Sequence, residues 1–148
     1  MNDNMKFLTI VAVLGLAAPA FPQYTAMYDT FYDGNLNPLS SVTCSTGEYG
    51  LITYGYNLFG NIPTYPLIGG APQIQSWDSP YCGTCWELTY TDPHGDSTSI
   101  NFTAINTSNQ ESFIIAFAGM DLLTNGNAET LDGVSITATQ MPASICGI

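Results

Sequence analysis

Strongly basic side chains are almost missing from this chain: of its 148 residues only Lys6 is a Lys or Arg. Against it stand 12 carboxylates, for a formal net charge of −11. Duplex and single-stranded nucleic acids are bound through Lys and Arg that displace counterions from phosphate, so nucleic acid is excluded as a partner. The same deficit speaks against anionic membranes and phosphorylated substrates. The carboxylates are scattered singly: after Asp3 come Asp29, Asp33, Glu48, Asp78, Glu87, Asp92, Asp96, Glu111, Asp121, Glu129 and Asp132, with no acidic tail and no calcium-like cluster. A neutral or cationic partner remains, and extracellular polysaccharide suits that requirement.

Long apolar runs are scarce as well. Phe7 to Ala18 follows Lys6 and ends in Ala18-Pro19-Ala20, the small residues that signal peptidase accepts, so residues 1–20 read as a secretory signal peptide and 21–148 as an extracellular domain. A bilayer span needs about 20 apolar residues; this run is shorter, and no later one is long enough to stop transfer. Histidine occurs once, as His94 in the turn-like Pro93-His94-Gly95. A Ser-His-Asp arrangement would have to be built on that loop, and zinc would lack a second pair of ligands, so no cofactor or metal is expected.

What is abundant is Gly, Pro, Asn, Ser, Thr, Tyr and Phe, the composition of a β-rich secreted module. Roughly 128 residues suit one domain with a real core. Ile100, Phe102 and Ala104 alternate with Asn101 and Thr103, and Val134, Ile136 and Ala138 alternate with Ser135, Thr137 and Thr139, each giving a strand with one apolar face. Trp86 to Tyr90 repeats the pattern, and Asp92-Pro93-His94-Gly95-Asp96 reads as a hairpin turn. Another strand is expected at Phe113 to Phe117, then a short helix from Ala118 to Thr124 closed by Asn125-Gly126. One helical turn is expected within Asn37 to Val42, and mostly loop from Gly55 to Pro72.

All four cysteines, Cys44, Cys82, Cys85 and Cys146, follow the signal peptide, and an even count in a small secreted chain implies a disulfide framework. Three pairings are formally possible, and spacing does not choose among them. A redox role for Cys82-Gly83-Thr84-Cys85 is disfavoured, because the motif runs straight into a strand with no helix N-terminus or basic neighbour to lower a thiol pKa.

Tyr28-Asp29-Thr30, Cys44-Ser45 with Gly50-Leu51-Ile52-Thr53, Ile62-Pro63, Ile68-Gly69-Gly70, Ser79-Pro80 before Cys82-Gly83-Thr84-Cys85-Trp86, Leu88-Thr89-Tyr90 and the closing Cys146-Gly147 together resemble the cerato-platanin family of small secreted fungal proteins. The resemblance covers essentially all of 21–148. It implies a mainly β fold, a six-stranded double-psi β-barrel with short helices, and disulfides joining Cys44 to Cys82 and Cys85 to Cys146. It also implies a non-hydrolytic protein of the fungal wall or culture fluid that binds chitin or N-acetylglucosamine oligomers, assembles at interfaces and elicits host defence, with a host receptor as a further partner. The rival expectation is a surface-active structural protein that works by self-assembly, with sugar binding incidental; an immunomodulatory role is compatible with either.

Where many members of that family carry an Asp after an Ala-Ile pair, this chain has Ala104-Ile105-Asn106. An amide is no general acid or base, which argues against glycoside hydrolysis, although it still donates and accepts hydrogen bonds to sugar hydroxyls. Asp29, placed at the opening of the first strand, and Asn106 are the polar candidates for a sugar groove. At Ile114, where some relatives place an Asn against the sugar, the contact is lost. Tyr54, Tyr56 and Trp77 are the candidate stacking rings, from a set of loop aromatics that includes Phe59, Tyr65 and Tyr81, whereas Trp86 beside Cys85 is expected in the core. Asn101-Phe102-Thr103 and Asn106-Thr107-Ser108 are N-glycosylation sequons, and a glycan on Asn106 would compete with sugar binding there.

Overall fold

The computed structural model describes residues 15–16, 21–108 and 111–148. Apart from Gly15 and Leu16, the expected signal peptide lies outside the described residues. Among the described residues the regular structure is six strands, β1 (Gln23–Tyr28), β2 (Ile68–Ala71), β3 (Cys85–Thr91), β4 (Ser97–Thr107), β5 (Ser112–Ile115) and β6 (Val134–Met141), one α-helix, α1 (Phe117–Leu123), and four short 3-10 turns. The strands close into a barrel in the order β1-β5-β2-β4-β3-β6, with β6 returning to β1. Pairs β1–β5 and β2–β4 are parallel and the others antiparallel.

Period-two patterning decides which way each strand faces. Ile100, Phe102 and Ala104 of β4 and Leu88 of β3 point inward and are buried, while Ser97, Ser99 and Asn101 stand outside. The β3–β4 hairpin turns where the sequence places it, because Asp92 Oδ1 accepts from His94 N (2.8 Å) and Asp96 N (3.0 Å). In the barrel interior Phe113 meets Tyr24, Trp86 and Phe102 edge-on at centroid distances of 5.3, 5.7 and 5.7 Å. Trp86 is 6% exposed and belongs to the core, as expected.

Three boundaries differ from the sequence reading. The expected loop from Gly55 to Pro72 holds a 3-10 turn at Phe59–Asn61 and the strand β2. Ile-Gly-Gly-Ala has little β propensity, but these glycines are what lets β2 sit so close to its neighbours: a Cβ on Gly69 would lie 2.0 Å from Ile114 O, and one on Gly70 2.6 Å from Thr107 O. The strand expected at Phe113 to Phe117 ends at Ile115, because Phe117 opens α1. There Asp33 replaces a local cap, its carboxylate accepting from Phe117 N (2.8 Å) and Ala118 N (3.0 Å). Asp29 does not open the first strand; β1 ends at Tyr28, and Asp29 caps the 3-10 turn Thr30–Asp33, its Oδ1 accepting from Phe31 N at 2.8 Å.

The disulfides join Cys44 to Cys82 and Cys85 to Cys146, as the resemblance implies. Between Cys82 and Cys85 lies a single turn, so this short segment ties the 44–56 loops on one side and the C-terminal 3-10 turn Ala143–Cys146 on the other to the start of β3.

Candidate functional site

At the end of β4 the Asn106 side chain forms a polar clasp. Its Oδ1 accepts from Thr43 N (3.0 Å), Thr43 Oγ1 (2.7 Å) and Thr107 N (2.9 Å), and its Nδ2 donates to Tyr32 Oη at 2.9 Å. The strand thereby binds a loop and a 3-10 turn that lie 63 and 74 residues away in sequence. Asp29 reaches the same place through space: the Tyr32 hydroxyl is pushed above its ordinary 10.0 chiefly by burial, the Asn106 hydrogen bond opposes this, and the Asp29 carboxylate raises it further. The assembly therefore contains one exposed carboxylate, a neutral amide and a phenol that stays protonated at neutral pH. It is equipped to hydrogen-bond hydroxyl and acetamido groups, and it lacks the paired carboxylates that glycoside hydrolysis uses. Asp33, the next carboxylate along the chain, is committed to α1.

The raised phenol gives a pH dependence with a definite sign. Tyr32 binds its proton more tightly folded than unfolded, so its contribution is fully present below the unfolded pKa of 10.0 and is lost as pH rises through the folded value. Tyr65, raised by burial and then by Asp33, acts in the same direction. Stability measured by urea unfolding is expected to fall with pH above about 10, and Tyr32→Phe to flatten that limb while leaving the Tyr65 share. An unchanged alkaline limb in Tyr32→Phe would exclude this assignment.

Tyr54, Tyr56 and Trp77 make no side-chain hydrogen bond or ring contact with the clasp, whereas the Phe59 ring stacks on Tyr32 at a centroid distance of 6.1 Å. Tyr54 is exposed and, with Tyr49, Leu51, Gly83 and Met141, lines a cleft of about 300 Å³ beside both disulfides. Trp77 is 60% exposed and donates its indole N–H to Thr46 Oγ1 at 3.3 Å, on the loop between β2 and β3. Tyr56 and Tyr65 are half-buried against the core, and Phe59 is wholly buried, so Phe59 offers no ring to solvent. Ile114 on β5 pairs with Gly70 and is apolar and partly buried. Of the two sequons, Asn101 faces solvent from the middle of β4, whereas the Asn106 amide is engaged in the clasp. His94 is exposed in its turn. Among the described residues no group of three or more His, Cys, Asp or Glu side chains is placed to hold a metal ion, and every cysteine is in a disulfide.

Sequence reasoning missed Tyr32, Thr43 and Tyr49. Only Tyr32 left a signal, lying in the aromatic run Phe31-Tyr32 beside a family motif; nothing local marks Thr43 as the partner of Asn106.

Comparison with known proteins agrees with this architecture. The cerato-platanin family model matches residues 24–148. The "Heat-stable 19 kDa antigen" of Coccidioides posadasii is 42% identical over 151 residues, spanning 97% of this chain and 99% of that protein. The crystal structure of cerato-platanin 2 from M. perniciosa superposes with a TM-score of 0.81 at 36% identity, covering 86% of this chain and all of that one. Cerato-platanin 1 from M. perniciosa gives 0.80 at 40% identity, covering 83% and 98%. A matching family model over most of the chain and the same barrel in its solved relatives place this protein in the cerato-platanin family.

Proposed function

We propose that this chain is a secreted, non-catalytic protein that binds N-acetylglucosamine oligomers of chitin in or near the fungal wall and is perceived there by a host. The observation that carries the reading is the clasp at Asn106. By the family resemblance Asn106 takes the place at which many relatives carry an Asp, so its amide can hydrogen-bond there but not transfer a proton; its partner Tyr32 feels the charge of the exposed Asp29, and the only Lys or Arg of the chain precedes the domain. Exposed rings at Tyr54 and Trp77 supply flat faces of the kind sugars stack on. Two disulfides fit an oxidising compartment, and the antigen named above is consistent with exposure to a host.

An NMR titration with N-acetylglucosamine tetramer tests the reading. Binding is expected to shift the amides of Asp29, Thr43, Asn106 and Thr107, with no reducing ends released on prolonged incubation. Resonances that stay fixed at millimolar oligomer would remove chitin binding, and release of reducing ends would remove the non-catalytic reading.

A further inference from the structure

We propose that Phe31 is the stacking ring of the Asp29–Asn106 surface: the side chain against which the apolar face of an N-acetylglucosamine unit lies while Asp29 and the clasp take its polar rim. The inference rests on the chitin reading and adds to it the residue that supplies the apolar wall. A β-linked N-acetylglucosamine ring carries every substituent equatorially, so its two faces show only C–H bonds and its hydroxyl and acetamido groups lie around the edge. A site for it needs a flat apolar surface and hydrogen-bonding groups set side by side.

One short turn supplies both. Phe31 sits in the 3-10 turn Thr30–Asp33, one residue before Tyr32, whose hydroxyl accepts from Asn106 Nδ2 at 2.9 Å. Its ring meets those of Tyr32 and Phe59 edge-on, each at a centroid distance of 5.4 Å. Neither contact is a face-to-face stack, and Phe31 stays 40% exposed while Tyr32 and Phe59 are buried. Of the two rings in contact with Tyr32, Phe31 is therefore the one that solvent, or a sugar, reaches.

The ring is also held still. Phe31 N donates to Asp29 Oδ1 and Phe31 O accepts from Asn37 Nδ2, both at 2.8 Å. With its backbone fixed on both sides and its ring set against two others, the side chain has little conformational entropy left to lose when a ligand arrives. The bond from Phe31 N orients the Asp29 carboxylate as well. Asp29 Oδ2 takes no hydrogen bond among the described residues, which leaves it to accept from a sugar hydroxyl. Apolar face and acceptor thus come from residues two apart, tied together by one hydrogen bond.

NMR of the intact protein with N-acetylglucosamine tetramer tests the assignment at two levels. In the parent protein the axial ring protons of the sugar are expected to move upfield under the Phe31 ring current and to show NOEs to the Phe31 ring protons. Phe31→Leu keeps apolar bulk and loses the ring; it is expected to bind about fivefold to tenfold more weakly, with the Asn106 side-chain resonances of the free protein unchanged, and Phe31→Trp to restore binding. Leu36→Ser, which removes an apolar side chain that is 74% exposed, leaves affinity as it was. A parent protein that binds no tetramer removes the chitin reading and this assignment together. Binding without NOEs to Phe31, or equal affinity in Phe31→Leu, removes this assignment alone. An equal loss in Leu36→Ser does the same, because it reduces the effect to apolar surface in general. Should Phe31→Leu disturb the Asn106 resonances, the NOEs in the parent protein decide.

Discussion

Alanine at position 69 is expected to lower stability by at least about 3 kcal/mol, a drop in melting temperature on the order of 10 °C for a domain of this size. The added methyl group would lie 2.0 Å from Ile114 O and 3.0 Å from the Ile115 Cα, both of them backbone atoms of β5. A side chain can swing away from such a clash; a paired strand cannot. β2 is held on its other edge by β4, where the register shifts between Gly69 and Gly70, so relief would have to come from breaking one of the two ladders. Gly55→Ala is the informative comparison, because Gly55 has φ +95 with open space around it and should cost only about 1 kcal/mol of backbone strain. Chemical denaturation of the two variants side by side separates crowding from conformation. If Gly69→Ala came within 1 kcal/mol of Gly55→Ala, the close approach of β2 and β5 could not be the reason for the glycine.

Removing either disulfide by paired Cys→Ala substitution is expected to cost about 4 kcal/mol in the chain-entropy account, since both loops are long. The separations are 38 residues for Cys44–Cys82 and 61 for Cys85–Cys146, and the logarithmic dependence on loop length makes the two losses nearly equal. In a domain whose whole stability is on the order of 10 kcal/mol, losing both would leave little. Urea unfolding of the two double variants checks this, and a loss under 1 kcal/mol for either would mean that its loop is already constrained in the unfolded chain.

The sequence showed the barrel best where one strand carries its own evidence. In β6, and in β3 and β4 away from Cys85 and Thr103 to Ile105, apolar residues that face the core alternate with polar ones that face outward, and the Asp92 turn is encoded in the residues that make it. β2 was illegible for the opposite reason. Its four residues are all buried, so they show no alternation, and its glycines read as loop because what requires them is the backbone of β5, distant in sequence. Asp29 caps a 3-10 turn after β1 instead of opening the strand, and Asp33, to which local sequence gives no role, caps a helix 84 residues away. The disulfide pairing was not readable from spacing and came with the family resemblance. At the candidate site the sequence supplied Asn106 but not its partners, because a hydrogen bond between Thr43 and Asn106 has no periodic signature. The aromatic rings were legible only as a set; exposure, which separates Tyr54 and Trp77 from Phe59, is decided by tertiary packing.

The strand order also sets a timetable for synthesis. β1 is the first strand made, yet its two neighbours are β5 and β6, with Gln23 opposite Thr137. Emerging first, it has nothing to pair with until almost the whole chain has followed, and Cys85 waits as long for Cys146. The barrel therefore cannot close until β5 and β6 have been made, although β2, β3 and β4 can pair with one another earlier. Throughout that interval β1 is an unpaired apolar-faced strand and Cys85 an unpaired thiol. Conditions that lengthen the interval, such as scarce oxidant or a C-terminal truncation reaching β6, are therefore the ones under which this protein is most exposed to wrong pairing and aggregation.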